Sequence, residues 1–327
     1  NVNKLSLKEI SNPIKPELER FDDIFKASLR SNVGLVDLVA RYIIRQKGKK
    51  IRPLLVLLSA KISGGVTDRT YRGATLVELL HTATLIHDDV VDDANKRRGM
   101  WSINALFKNK VAVLMGDYLL SRGLMISVDG KDYDFLGVTT NAVKRMSEGE
   151  LLQIQKTRKL DIDEETYFKV ISDKTASLLE TCCSIGAMST TDNKDYIEAM
   201  RNFGHSLGMS FQIRDDILDY EGKSNLIGKP VGGDIKEKKI TLPLIYSLNN
   251  VPVSEASRIR KILKNGNDKT KIKDVMQFVH ENNGIDYALK VAKKYSDDAK
   301  QSLSVFPDSQ TKLSMQALVD FVTERKN

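Results

Sequence analysis

Apolar residues recur every three or four positions along most of this chain. One such stripe consists of Ile14, Leu18, Phe21, Phe25 and Leu29, which is the spacing of one face of an α-helix. The same spacing predicts helices over 35–46, 54–62, 71–93, 103–128, 135–155, 164–187, 196–220 and 242–248, with charged amphipathic helices from there to residue 321. The sequence shows no long alternation of period two and no fixed repeat. The pattern therefore predicts an all-α fold without a sheet.

Glycine and proline interrupt the helical pattern. Gly64-Gly65 ends one predicted helix, residues 96–99 (Lys-Arg-Arg-Gly) form a basic loop, and residues 222–233, with four glycines and a proline, form a longer loop. Residues 249–255 are only a weak candidate boundary, and no Pro- or Ser-rich linker divides the chain. We expect a single domain over residues 1–327.

Composition limits the class of protein. Apolar residues make up 41% of the 327 positions, which is enough for a large core. The longest apolar runs, such as 53–59, are too short to cross a bilayer, and we expect no secretory signal. Cys182 and Cys183 are adjacent, which suggests neither a disulfide framework nor a zinc site. These features predict a cytoplasmic protein.

Charge leaves several partners open. The net charge is +8, and the basic residues are spread along the chain. Such a surface can be ordinary solvated charge, or it can make transient contact with an anionic membrane or bind small anions. Neither a concentrated basic face nor an aromatic-basic motif is found in the sequence, so we expect no nucleic acid partner.

The first candidate site lies in the longest predicted helix, at residues 85–93 (Leu-Ile-His-Asp-Asp-Val-Val-Asp-Asp). Asp88 and Asp92 are four residues apart and share a helix face, which continues back to Thr84 and His81. Two unpaired carboxylates side by side repel each other. This face therefore favours a hard divalent cation with oxygen ligands, Mg²⁺ above all.

A second carboxylate pattern and several basic sets accompany the first. In residues 215–219 (Asp-Asp-Ile-Leu-Asp), Asp215 and Asp219 share a face, and Gln212 precedes them at helical spacing. The basic sets are 48–53 (Gly-Lys-Lys-Ile-Arg-Pro), Arg97-Arg98, Lys174-Thr175, and 228–230 (Gly-Lys-Pro) with Asp234 and Lys239 beyond. Arg offers phosphate a two-pronged fork, Lys a compact charge, and a helix start attracts anions. Two separated basic sets with divalent ions suit two diphosphates.

These motifs together resemble the trans-isoprenyl diphosphate synthases, also called polyprenyl synthetases. The resemblance runs from about Lys47 to Leu244. It rests on motifs in the family's order: Gly-Lys-x-x-Arg-Pro, Asp-Asp-x-x-Asp with Arg-Arg-Gly, Lys-Thr, Gln-x-x-Asp-Asp-x-x-Asp, and Gly-Lys-Pro. The resemblance implies a single-domain antiparallel helix bundle around a deep central cavity, the isoprenoid synthase fold. It also implies a homodimer that uses three Mg²⁺ ions per active site.

The family's residue roles carry over by position. Isopentenyl diphosphate would meet Lys49, Arg52, His81 and Arg98. The allylic diphosphate, of farnesyl or geranyl type, would meet Arg97, Lys174, Thr175, Gln212 and Lys229. Two Mg²⁺ ions would lie on Asp88 and Asp92 and a third on Asp215, while metal-bound waters or basic side chains would be oriented by Asp89, Asp216, Asp219 and Asp234. The implied catalytic set is Asp88, Asp89, Asp92, Arg97, Lys174, Asp215 and Lys229.

The chain departs from the family pattern at two lysines. Lys47 occupies a position where the family often has glycine, and Lys238 replaces a glycine immediately before Lys239. Lys239 keeps the family's substrate-binding place, but the sequence leaves open whether Lys238 or Lys239 contacts phosphate.

Other polar residues near the motifs have ordinary interpretations. We expect His87 to make a structural hydrogen bond and Trp101 to be a packing residue. Gln153 either lines the cavity or occupies a plain helix position. His205 and His280 are interpreted as ordinary helix residues.

The resemblance also implies the reaction. The allylic diphosphate leaves first, and the double bond of isopentenyl diphosphate attacks the resulting carbocation. A proton is then lost, with the released diphosphate as the base. Electrostatic stabilisation of the leaving group would dominate catalysis, no protein nucleophile is needed, and the cavity must exclude water.

Product length should depend on the positions just before the first motif. In the family, bulky residues four or five positions before the first aspartate block the growing tail; here Thr84 and Ala83 are small, and Leu80 lies one turn deeper. We therefore predict a long-chain all-trans polyprenyl diphosphate, which commonly supplies a quinone side chain. The tunnel floor would come from one of four residues: Leu119, Leu120, Met125 or Met146.

Two rival functions share parts of this pattern. A terpene cyclase has the fold and the first motif, but its second motif usually combines Asn or Asp, Ser or Thr, and Glu. A non-catalytic partner subunit of a heteromeric prenyl synthase tends to lose motif aspartates, whereas this chain keeps all six.

Overall fold

The structure is a computed structural model that describes residues 5–46, 48–221, 232–265 and 269–324. Helices make up nearly all of this part of the chain. They are α1 (Leu7–Ile10), α2 (Lys15–Ser28), α3 (Gly34–Arg45), α4 (Ile51–Ser63), α5 (Asp68–Val91), α6 (Ile103–Asp129), α7 (Tyr133–Lys159), α8 (Glu164–Ile171), α9 (Ser177–Met188), α10 (Lys194–Leu218), α11 (Gly233–Lys236), α12 (Leu242–Asn249), α13 (Val253–Asn265), α14 (Lys269–Glu281), α15 (Gly284–Ser302) and α16 (Gln310–Thr323). Short 3₁₀ turns cover Asn12–Ile14 and Leu303–Val305, and a π turn covers Ser172–Ala176.

The helix predictions are confirmed, and local signals explain where several helices begin. The Thr67 side chain accepts from the Thr70 backbone N–H while the Thr70 hydroxyl accepts from the Thr67 N–H, which closes the first turn of α5 on both sides. Ser102 caps α6, and Asn193 caps α10. The two helices that carry the carboxylate motifs therefore start at well-defined residues.

A minimal β-hairpin follows the first carboxylate motif, so the expectation of no sheet was wrong at this point. β1 (Lys96–Arg97) pairs antiparallel with β2 (Met100–Trp101). Arg98 and Gly99 form the two-residue turn with φ values of 51° and 76°. Positive φ at both central residues is what a tight hairpin turn needs.

The predicted helix over 164–187 is divided in the structure. α8 ends at Ile171 and α9 begins at Ser177, and the π turn of Ser172–Ala176 lies between them. Apolar spacing on both sides of the turn remains helical, which is why periodicity alone predicted one element.

The two motif helices lie at the centre of the packing. Residues of α5 belong to two apolar clusters, with Leu76 and Leu80 in one and Leu79 in the other. α10 joins the first of these clusters, through Phe203, to the cluster formed with the C-terminal helices, through Ile213. The result is one all-α bundle, as predicted, with both carboxylate motifs held by buried helix faces.

One helix in the described ranges has the length and composition of a membrane span. This is α6, of which one third of the most apolar stretch is buried. Its inner face packs on α5 through Met115 and Leu119, whereas Leu114 and Met125 on its outer face are more than half exposed. By itself such a helix is weak evidence for a membrane, because core helices of globular bundles have the same composition.

Candidate active site

The first carboxylate motif lies at the C-terminal end of α5. Asp88 and Asp92 are exposed one helical turn apart, and Asp92 is the residue that ends the helix. Partial burial, reinforced by the neighbouring carboxylates Asp92 and Glu150, raises the pKa of Asp88 above its ordinary value. Lys174 and Arg97 act in the opposite direction on the same carboxyl group. The two basic side chains therefore only partly offset the effects of burial and of the neighbouring carboxylates on Asp88.

Asp89 is turned inward and is paired with Arg97. The carboxylate is 3% exposed and accepts from Arg97 Nε at 2.9 Å and from Nη2 at 2.6 Å. Arg97 comes from β1, so the hairpin is tied to the end of α5 by a two-pronged ion pair. A basic side chain is one of the two partners that the sequence analysis expected for Asp89; its role in the reaction stays a prediction.

A cavity of about 730 Å³ opens beside this ion pair. Its wall includes all five of the basic residues predicted near the first motif and at the start of α4: Lys49, Arg52, His81, Arg97 and Arg98. Apolar side chains such as Phe25, Leu85 and Phe211 complete the wall. The sequence placed Arg97 in the allylic set and the other four with isopentenyl diphosphate. In the structure Arg97 lines the cavity together with the four residues assigned to isopentenyl diphosphate, and it also acts electrostatically on Asp88.

Burial strongly affects the charged groups of this cavity. The Nε of Arg52 is buried without a hydrogen-bond partner among the described residues, and burial lowers the pKa of its guanidinium. Burial, and then the cations Arg52 and Arg98, hold the pKa of His81 well below 6.5, so its imidazole is neutral at pH 7. Burial also raises the pKa of Glu78, which faces the same two arginines. The cavity thus presents an incompletely satisfied cation and a neutral imidazole, which suits an anionic ligand.

Gly48 allows one wall of the cavity to close. A Cβ atom at this position would lie 2.2 Å from Nη1 of Arg98, so the guanidinium would have to move aside for any other residue. Lys50, two residues further, has a φ of 52° and pairs with Asp22. The close approach of Arg98 therefore gives a steric explanation for glycine at this position of the Gly-Lys-x-x-Arg-Pro motif.

Lys174 and Thr175 lie in the π turn, opposite α7 and α10. The Lys174 ammonium donates to Gln153 Oε1 at 2.8 Å and pairs with Glu150. The Thr175 hydroxyl donates to Gln212 Oε1 at 2.9 Å. Gln153 therefore contacts a lysine that was predicted to bind substrate, and the turn connects α7 with α10.

The second motif forms a buried polar network. Asp216, 2% exposed, accepts from Gln212 Nε2 at 3.0 Å and from the Tyr167 hydroxyl at 2.5 Å. Lys239 Nζ lies 3.7 Å from Asp216 Oδ1 and 3.7 Å from Asp234 Oδ1. Burial raises the pKa of Asp216. Burial acts to lower the pKa of Lys239, but the carboxylates of Asp216 and Asp234 raise it above the ordinary value. The buried lysine is thus fixed as a cation.

The structure separates the two lysines that the sequence left open. Lys239 lies among the carboxylates of the second motif, whereas Lys238 points away from them and donates to the carbonyl of Lys264 at 3.2 Å. Asp219 accepts from the backbone N–H groups of Gly233 and Asp234, and burial together with Asp234 raises its pKa to about 6. Asp219 therefore anchors the start of α11.

The residues predicted to set product length are not on the cavity wall. Ala83 and Leu80 are buried between α5 and its neighbours, and the Thr84 hydroxyl donates to the His81 carbonyl at 2.8 Å. Leu119 packs in the same cluster as Ala83. Met125, another of the four candidates for the tunnel floor, is half exposed on the outside of α6.

Some sequence expectations for nearby residues can be compared directly. His87 makes the predicted structural hydrogen bond, with Nε2 3.0 Å from the Val113 carbonyl. Trp101, interpreted as a packing residue, is 52% exposed and packs against the Lys96 ammonium, which lies over its ring. Lys47 and Lys229 lie outside the described residues.

Three functional positions were missed by the sequence analysis. Glu78 and Tyr167 look like ordinary members of long helices, and no local signal distinguishes them. Glu150 had a signal, since it follows a glycine within a predicted helix, and Gly149 allows α7 to approach the π turn closely.

The carboxylates provide a face for metal ions but not a finished cage. Within the parts of the chain that are described, no three or more His, Cys, Asp or Glu residues are gathered closely enough to hold a metal ion. Asp88 and Asp92 still fit Mg²⁺, because they offer oxygen ligands and a carboxyl group whose charge is undercompensated. A bound ion at this face would need further oxygen ligands, such as those of a diphosphate.

Comparisons with known proteins agree with this arrangement. The family model described as polyprenyl synthetase matches residues 34–281. The chain is 32% identical to the octaprenyl diphosphate synthase of Haemophilus influenzae, with 98% of each chain covered. It is 33% identical to the all-trans-nonaprenyl-diphosphate synthase (geranyl-diphosphate specific) of Rhodobacter capsulatus, with 97% of each covered. The crystal structure of a polyprenyl synthase from Caulobacter crescentus, complexed with calcium and isoprenyl diphosphate, superposes with a TM-score of 0.90 at 29% identity over 100% of both chains.

Proposed function

Because this chain belongs to the polyprenyl synthetase family, we propose that it condenses isopentenyl diphosphate with an allylic diphosphate, head to tail and in trans. The product would be a long-chain all-trans polyprenyl diphosphate, suited to the side chain of a quinone. Relatives of matching length are named octaprenyl and nonaprenyl diphosphate synthases, which supports the long-chain assignment. The primer would be of farnesyl or geranyl type.

The observation that carries this proposal is the position of Asp88 between two cationic sets. On one side Arg97 leads into the cavity with Arg52 and His81, and on the other side Lys174 projects from the π turn. One set would hold each diphosphate, so that the two reacting ends meet beside the carboxylate face. Holding two reactants in this way makes the reaction effectively unimolecular.

The chain's own residues would bind, orient and enclose the substrates. The cavity cations would fix isopentenyl diphosphate, and the apolar wall of Phe25, Leu85 and Phe211 would keep water from the reacting carbons. Thr175 and Gln212 are already hydrogen-bonded to each other and would orient the allylic diphosphate. The allylic C–O bond breaks, the new C–C bond forms, and the departing diphosphate accepts the proton.

We propose three Mg²⁺ ions, held by Asp88 and Asp92 on one helix and by Asp215 on the other. These ions would neutralise the charge that develops on the leaving diphosphate. The family generally uses Mg²⁺, and a crystallised relative is described with calcium and isoprenyl diphosphate. Asp215 is half-buried on α10, four residues before the Asp219 anchor.

We further propose that the protein is a cytoplasmic homodimer. Exposed apolar side chains line the outer face of α6: Val113, Leu114, Met125 and Val128. A second copy would cover this face, since apolar surface of this extent seldom remains open to water. The two buried free thiols, Cys182 and Cys183, are typical of a reducing compartment. Transient contact of the basic surface with an anionic membrane would release the apolar product.

A test of the two diphosphate sites compares the KM values of the two substrates. In Arg52→Gln the KM for isopentenyl diphosphate should rise about 10- to 100-fold, as expected for loss of a charge-assisted hydrogen bond. The KM for farnesyl diphosphate should change less than about threefold. Steady-state kinetics with Mg²⁺, after circular dichroism has shown an intact fold, gives both values.

The reciprocal variant is the control. Lys174→Ala should raise the KM for farnesyl diphosphate and leave that for isopentenyl diphosphate nearly unchanged. If the two variants raise the same KM, the assignment of two separate sites is incorrect.

A further inference from the structure

The segment that presents Lys174 and Thr175 has an unusual backbone. In the π turn of Ser172–Ala176 the hydrogen bonds run to the carbonyl five residues earlier, instead of four. Such turns are rare, and they persist where surrounding contacts hold them, frequently at functional sites. The contacts of Asp173, immediately before Lys174, therefore bear on the direction of the lysine.

Asp173 is held from two sides. Its carboxylate is buried, 6% exposed, and accepts from Arg145 Nε at 2.9 Å and from Lys169 Nζ at 2.8 Å. Burial acts to raise the pKa of Asp173, but the hydrogen bonds from Lys169 and Arg145 lower it below the ordinary value. The side chain is thus an anion fixed in the packing between α7 and the turn.

Arg145 reaches both ends of the turn from α7. Besides its bond to Asp173, Nη2 donates to the Ser172 hydroxyl at 3.2 Å and Nη1 donates to Glu180 Oε2 at 3.1 Å. Ser172 lies at the start of the turn and Glu180 lies on α9 beyond it. One guanidinium therefore joins three residues whose relative positions define the π geometry.

The packing leaves little room for another arrangement. A Cβ atom at Gly149 on α7 would lie 3.0 Å from the Asp173 Cβ and 3.0 Å from the Lys174 backbone nitrogen. Gly149 is one turn after Arg145, so the same face of α7 both approaches the turn and donates to it. If the turn relaxed to an α-helix, Lys174 would shift by one residue's rotation, about 100°.

We propose that Arg145 is a positioning residue for the allylic diphosphate. Through Asp173 and Ser172 it maintains the π turn that aims Lys174 and Thr175 at that substrate. The inference rests on the proposed function, since it concerns the allylic side of the same site. Arg145 itself does not contact the substrate.

The test uses Arg145→Gln in the full chain. Its KM for farnesyl diphosphate should rise about tenfold, while that for isopentenyl diphosphate stays within about twofold. Calorimetry with farnesyl thiodiphosphate, an unreactive analogue, and Mg²⁺ should show binding weakened by the same factor. Asp173→Asn should give the same pattern, because a neutral amide replaces the anion of the same ion pair.

Arg69→Gln provides a matched control. Arg69 also donates through Nε to a buried aspartate, Asp132, at 2.9 Å. It lies at the start of α5, at the end opposite to the carboxylate motif. Thermal unfolding should show a comparable loss of stability in both variants, with no change of either KM in the control. The comparison of the two variants thus distinguishes a positioning role of Arg145 from the general effect of losing a buried ion pair.

A double substitution completes the test. In a Lys174→Ala background, Arg145→Gln should weaken analogue binding by less than about threefold, because the lysine that it positions is gone. Full additivity, or an equal rise of both KM values in Arg145→Gln, would overturn the positioning role while leaving the proposed function intact. Absence of turnover and of analogue binding in the wild-type protein would overturn both.

Discussion

His81 shows how burial changes the chemistry of a single residue. The sequence identified it as a substrate contact on the face of Asp88, and the structure places it in the cavity with Arg52 and Arg98. Because burial and the neighbouring cations hold its pKa well below 6.5, it would serve as a neutral hydrogen-bonding group and not as a charge.

The depressed pKa of His81 predicts a pH dependence of stability. The unfolded chain takes up a proton at this imidazole as the pH falls below 6.5, whereas the folded protein does not. The free energy of unfolding should therefore decrease as the pH is lowered below 6.5. The decrease should be smaller in His81→Gln. Urea unfolding at about pH 7.5 and about pH 5.5 measures the difference. Equal losses in both proteins would show that the folded imidazole titrates normally.

Residue types could be predicted from the sequence better than their pairings. Motif spacing placed Asp88 and Asp92 on one helix face, because residues four apart are neighbours there. It could not show that Arg97 is paired with Asp89, or that Lys239 and not Lys238 faces Asp216. These pairings join separate elements, and their geometry depends on the tertiary packing.

At the scale of elements, the packing of α5 on α6 bears on product length. Ala83 is 2% exposed in the cluster that includes Met115 and Leu119. A larger side chain here would intrude below the first carboxylate motif, where the sequence analysis expects the growing product chain.

Ala83→Phe should shorten the product by several prenyl units. The added ring would obstruct the growing chain, and overpacking would lower the free energy of unfolding by about 1–3 kcal/mol. Chromatography of the dephosphorylated products measures the length, and thermal unfolding shows whether the variant is folded. Ala83→Ser, which stays small, is the control and should keep the wild-type product. An unchanged product from folded Ala83→Phe would exclude a tunnel at this position.

Helices were predictable because one face of each is buried, which imposes a 3.6-residue period on apolar positions. The hairpin at Lys96–Trp101 and the π turn at Ser172–Ala176 could not be predicted in this way. The hairpin is only two residues per strand, so no alternation can develop. The π turn depends on Arg145 and Gly149 of another helix, which no local pattern around residue 172 reveals.

At the scale of the whole molecule, the outer face of α6 predicts self-association. Leu114, 58% exposed, lies among the apolar residues of this face. Leu114→Glu should weaken the dimer at least tenfold, because a charge would be buried in an apolar interface. Sedimentation velocity over a range of concentrations measures this change.

A control for that experiment lies on a distant helix. Val253 at the start of α13 is also exposed, and Val253→Glu should leave association unchanged. Monomeric wild-type protein at all concentrations would contradict the dimer proposal.

The all-α architecture was predictable from the order of elements, since long amphipathic helices with short connections pack as an antiparallel bundle. The exact shape of the cavity was not. It depends on close approaches such as that of Arg98 to Gly48, which arise only when α4, α5 and the hairpin are assembled.

The most direct test of the account is a product assay on the purified protein. It would receive Mg²⁺, radiolabelled isopentenyl diphosphate and farnesyl diphosphate, and the dephosphorylated products would be separated by length. We expect a ladder that ends at one long polyprenol and disappears when EDTA removes the metal. No incorporation by folded protein would contradict the proposed activity, and a stop at farnesyl or geranylgeranyl length would contradict the long-chain assignment.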